Sequence, residues 1–156
     1  MICAIVANGV INHQYHLNYV HPERFTMWNL TKDDNNKLLK IKISDKLNLE
    51  ELSDILKAIY TESDGKNSNY NRFADLTDLK DIEIDFDTAC SRINEYRCLI
   101  QPNRPIKISL FIPQKYITGF SHLYKSMSGE DVFQVEISES LDDCAKYLSV
   151  DKKVLK

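Results

Sequence analysis

From Phe25 onward the apolar residues fall into periods that can be read one element at a time. Phe25–Thr31 reads as a short strand, and Asp33-Asp34-Asn35-Asn36 is a cluster of turn formers. In Lys37–Ile43, Leu39, Ile41 and Ile43 alternate with Lys40, Lys42 and Ser44, the pattern of a half-buried strand. The two segments therefore predict a hairpin. Asn48 is placed to cap a helix, with Glu50 and Glu51 in the first turn, where the helix dipole favours negative charge. Leu49, Leu52, Leu56, Ile59 and Tyr60 then recur at helical spacing to about Glu62.

Ser63–Asn69 is loop-like, and Tyr70–Leu76 returns to strand. A loop over Thr77–Asp85 is expected next, then a helix over about Asp87–Ile100 with Ala89, Ile93, Tyr96 and Ile100 on its apolar stripe. Pro102 and Pro105 stop that helix. Ile106–Ile112 is apolar enough for a strand buried on both faces. Tyr116, Phe120, Leu123, Tyr124 and Met127 mark a third helix, Val132–Ile137 a last strand, and Leu141, Cys144, Ala145 and Leu148 a short final helix. The order β-β-α-β-α-β-α-β-α predicts a single α/β domain. Its sheet is expected to be mainly parallel, four- or five-stranded, with an N-terminal antiparallel hairpin and four helices.

Composition narrows the functional classes. At 156 residues the chain holds one core, and 43% hydrophobic with 28% charged residues is a globular balance. A net charge of -3 supplies no positive field for nucleic acid, so none is expected as a partner. No apolar run reaches the roughly 20 residues that span a bilayer, so no membrane insertion is expected either. Met1–Arg24 holds only two charged residues, Glu23 and Arg24, yet three of the four histidines, His13, His16 and His21. It reads as an N-terminal extension (residues 1–24) to a domain over 25–150, with 151–156 as a C-terminal tail. His13-x-x-His16 lacks a third ligand nearby, and Cys3, Cys90, Cys98 and Cys144 form no CxxC pair, so no metal site or cofactor is expected. Reduced thiols and a cytoplasmic location are the corresponding expectation.

The strings Phe73-Ala74-Asp75-Leu76-Thr77-Asp78-Leu79 and Ile82-Glu83-Ile84-Asp85-Phe86 carry a resemblance. With Ile108–Pro113, Gly119-Phe120-x-x-Leu123-Tyr124 and Leu141–Leu148, they resemble SpoIIAA-like proteins of the STAS group, which is itself similar to the CRAL-TRIO type of lipid-transfer fold. The resemblance implies a small bacterial protein, of a kind found on mobile gene cassettes. It also implies a non-enzymatic regulatory module acting through a protein partner, or through self-association as a homodimer. The family's phosphorylated serine is not carried over, because Asp87 stands at the acceptor position in Asp85-Phe86-Asp87-Thr88.

Ligands of open α/β sheets gather at the carboxyl ends of parallel strands. That rule selects Asp75, Thr77, Asp78, Gln114, Ser138 and Glu139, and the helix start adds Asp87 and Thr88. Asp75 with Asp78 could do acid/base chemistry if burial raised one carboxyl, or could simply hold turn amides. His122 lacks an evident partner, and GxGxxG, Walker, GxSxG and HExxH motifs are missing. The alternative to a regulatory module is thus a small-molecule or lipid binding protein, or an enzyme using strand-end carboxylates near Asp75. Tyr116, Phe120, Tyr124 and Met127 could line a small apolar pocket or simply be core.

Overall fold

A computed structural model of the chain describes residues 27–113, 115, 119 and 132–156. The N-terminal extension, the expected third helix with its apolar stripe, Gln114 and His122 lie outside the described residues.

The turn residues set up the first hairpin. Asp33 accepts the backbone N–H of Asn36 at 3.0 Å and its side-chain amide at 2.8 Å. This joins β1 (Trp28–Asp33) to β2 (Leu38–Leu47) as an antiparallel pair, with Trp28 opposite Ile43 and Asp33 opposite Leu38. A capping box then opens α1 (Leu49–Glu62). Asn48 Oδ1 accepts the Glu51 amide at 3.0 Å, and the Glu51 carboxylate accepts the Asn48 amide at 3.3 Å.

The expected loop at Thr77–Asp85 is a correction. β3 runs over Asn71–Ile82, and Asp78–Ile82 pairs with Ser44–Leu47 of β2. The cause is a local irregularity that resembles a turn in sequence. Asp75 accepts from the Thr77 amide and hydroxyl, as in an Asx turn, while the register slips beside Asp45, whose φ is 63°. Pairing between β3 and β4 (Ile106–Phe111) stops at Asp75 opposite Phe111, so among the described residues the far half of β3 pairs only with β2. α2 occupies Phe86–Leu99, capped by Asp85. β5 is Phe133–Ser138, α3 is Leu141–Leu148, and Lys152–Leu155 forms one 3-10 turn.

The sheet order is β1-β2-β3-β4-β5, antiparallel at the first pair and parallel thereafter. The expected α/β domain with a mainly parallel sheet and an N-terminal hairpin is what forms, with five strands and, among the described residues, three α-helices. When sheet order follows chain order, right-handed crossovers lay successive helices over one face. Strand alternation then divides the interior in two. Leu39, Ile41, Ile43, Ala74, Leu76, Ile108, Leu110 and Val135 join Ile55 and Ile59 of α1 and Tyr96 of α2 in one cluster. Leu38 and Phe73 face the other way, where they pack with Cys144, Ala145, Leu148 and Leu155. Phe73 stacks on Phe111 there, with ring centroids 6.3 Å apart. Lys40 and Lys107 tie that layer down by donating to the Val154 and Tyr147 carbonyls, both at 2.9 Å.

Candidate functional site

Three of the polar residues selected from sequence come together on the α3 side of the sheet. Lys42 Nζ lies 2.7 Å from Asp78 and 3.9 Å from Asp75, while Asp75 Oδ1 takes the Thr77 amide at 2.9 Å and hydroxyl at 2.6 Å. The Asp78 hydrogen bond holds the Lys42 ammonium above its usual pKa, so the cluster is a surface ion-pair network of one cation and two carboxylates. Ser138 Oγ accepts the Ser140 amide at 2.9 Å. Asp87 and Thr88 belong to the first turn of α2, where the Thr88 amide and hydroxyl donate to Asp85 at 2.9 and 2.6 Å. Thr88 is thereby engaged in capping. Gln114 lies outside the described residues.

These caps and pairs have a pH consequence. The Thr88 hydroxyl holds Asp85 below its usual value, and Lys80 does the same for Asp45. A carboxyl depressed in the folded state binds fewer protons there than in the unfolded chain. The associated stability is present above the unfolded value of 3.8 and is lost as pH falls below it. Melting temperature is expected to decline below about pH 4, and less steeply in Thr88→Val; equal slopes for the two proteins would contradict this assignment.

The larger feature lies on the opposite face. A cavity of about 690 Å³ separates the sheet from α1 and α2. Its floor is made by inward residues of three strands, Ile41 and Ile43, Ala74 and Leu76, Ile108 and Leu110. Ile55 and Ile59 of α1 and Ala89 and Ile93 of α2 form its roof. Leu47, Ile82, Ile84 and Phe86 line it toward the carboxyl ends of β2 and β3. Protein interiors normally pack without voids, whereas ligand sites fall at about 300–1,000 Å³. An aliphatic lining of this kind holds water poorly.

Among the described residues two charged side chains belong to this lining, Arg72 and Lys115, and sequence reading passed over Arg72. Arg72 sits on β3 two residues before Ala74, at the same parity, and is only 3% exposed. Its Nη2 donates to the Tyr96 hydroxyl at 2.7 Å. The guanidinium carbon is 5.1 Å from the ring centroids of both Tyr96 and Phe133, and those rings lie 6.4 Å apart at 10°. Among the described residues Nε has no hydrogen-bond partner and no carboxylate pairs with the group. Burial pulls the Arg72 pKa down, but a guanidinium keeps its proton at neutral pH. Burial also raises Tyr96, with Arg72 opposing, so the phenol stays neutral. The sequence signal was parity, since Arg72, Ala74 and Leu76 share a strand face that must otherwise be apolar.

Among the described residues no group of three or more His, Cys, Asp or Glu is gathered to hold a metal, and no helix is long and apolar enough to cross a membrane. Cys98 and Cys144 are free thiols. Comparison with known proteins finds no family model, no curated protein and no solved structure that matches the chain.

Proposed function

We propose that the protein is a non-enzymatic binding module whose cavity, between the sheet and helices α1 and α2, holds a small, largely apolar ligand. The observation that carries this reading is a space of about 690 Å³ lined mostly by aliphatic and aromatic side chains. Among the described residues this lining holds no carboxylate, imidazole, thiol or aliphatic hydroxyl, which favours binding over reaction. The strand-end carboxylates support catalysis less well, because Asp75 and Asp78 share Lys42 on the other face of the sheet. A regulatory role of the STAS kind, through a protein partner or a second copy, draws on the order of elements and is compatible with a ligand-holding interior.

The test is calorimetric titration of the full chain with neutral n-alcohols from hexanol to decanol. Each added methylene buried in the cavity is worth about 0.8 kcal/mol, so affinity should rise roughly fourfold per carbon. Affinities that do not change with chain length, or no binding at all, would overturn the reading.

A further inference from the structure

We propose that Arg72 anchors an acidic head group, so that the cavity takes aliphatic monocarboxylates with the carboxylate at Arg72 and the chain running toward Phe86. This rests on the cavity reading above and names its ligand class. Arg72 is 3% exposed and, among the described residues, makes one hydrogen bond, to Tyr96, although a guanidinium carries five N–H donors. Its Nε is buried without a partner among the described residues. A buried cation left without a counter-charge is costly, and the rings of Tyr96 and Phe133 offset only part of that cost. A carboxylate would complete the site, since its two oxygens match the guanidinium fork in two parallel hydrogen bonds.

Charge sets the valence of the head. Arg72 is the cation beside Tyr96 and Phe133, while Lys115, the other cation of the described lining, follows the carboxyl end of β4; at the inner end a single negative charge therefore balances Arg72 and a phosphomonoester dianion would not. Position sets the direction. Arg72 pairs with Ile108 and lies beside Phe133, at the start of β5, near the amino ends of the parallel strands. That end is closed, with Tyr96 5% and Phe133 1% exposed. Ile82, Ile84 and Phe86 line the cavity at and beyond the other end of β3, where Phe86 is 43% exposed. The acid therefore enters head first, and its methylenes lie along Ala74, Leu76 and Ile93.

The experiment compares decanoate with decanol by calorimetry at pH 7.5. It uses the full chain, stripped of lipid on a hydrophobic resin, as wild type, Arg72→Met and Arg72→Lys. Charge-assisted hydrogen bonds should make decanoate about 10- to 100-fold tighter than decanol on the wild type. Arg72→Met should remove that preference, so that decanoate binds no tighter than decanol to the same variant. Arg72→Lys should fall between, because it keeps the charge and loses the fork. Equal affinities on the wild type would overturn the anchor and leave the cavity reading standing. Binding of neither probe would overturn both. The wild-type comparison needs no variant, so a substituted protein that failed to melt cooperatively would not blunt it. A preference for decanoate that persisted in a folded Arg72→Met would also overturn the proposal.

Discussion

Phe133→Ala is expected to destabilise the fold by about 3–5 kcal/mol, lowering the melting temperature by roughly 10–20 °C. Phe133 opens β5 with 1% exposure and stacks on Tyr96, with ring centroids 6.4 Å apart. Removing its ring costs the transfer energy of a large apolar side chain and leaves space that rigid strands cannot collapse into. It also removes one of the two aromatic faces beside the Arg72 guanidinium. Against a total of about 5–15 kcal/mol for a typical domain, that loss is a large fraction. Thermal or urea denaturation measures it. A loss below about 1 kcal/mol would mean that the aromatic end of the cavity is loosely built.

Ala89→Phe should move stability the other way while sharply weakening binding. Ala89 lies on the inner face of α2 and lines the cavity. In a close-packed core an added ring forces off-rotamer side chains and costs about 1–3 kcal/mol. In an open cavity the same ring buries its surface without displacing neighbours. The gain of roughly 1.5–3 kcal/mol exceeds the small helix-propensity loss of an aromatic residue. Decanol affinity should fall at least tenfold, because the ring takes the volume that the chain needs. The sign of the stability change is the sharper readout: destabilisation with binding intact would show that the space is not there.

Much of the fold was legible because alternation and helical spacing are local. Leu39, Ile41 and Ile43 announced β2, and Asn48 with Glu51 announced the start of α1. Asp75 and Thr77 misled, since their hydrogen bonds are those of a turn and yet sit inside a strand that continues to Ile82. The exposed Asp78, Lys80 and Asp81 then hid an alternation whose one buried member is Leu79. The candidate site was less legible. Strand-end reasoning grouped Asp75, Thr77 and Asp78 with Gln114, Ser138 and Glu139, and could not say that the first three lie away from the cavity. Parity held that information, because Asp75 follows Ala74 and so must point to the other layer. Arg72 was readable in the same way, as a charge on an apolar face. The cavity was not, because sequence shows which side chains point inward and not which fail to meet.

The claim that ligand enters between the sheet and the helices is tested most directly by methyl NMR spectra recorded during a titration with decanol. Methyl signals of Ile43, Ile55, Ile93 and Leu110, from four different lining elements, should shift together and saturate. Resonances around Lys42, Asp75 and Asp78 should remain in place. Shifts confined to that surface cluster, with the four methyls unmoved, would contradict the account.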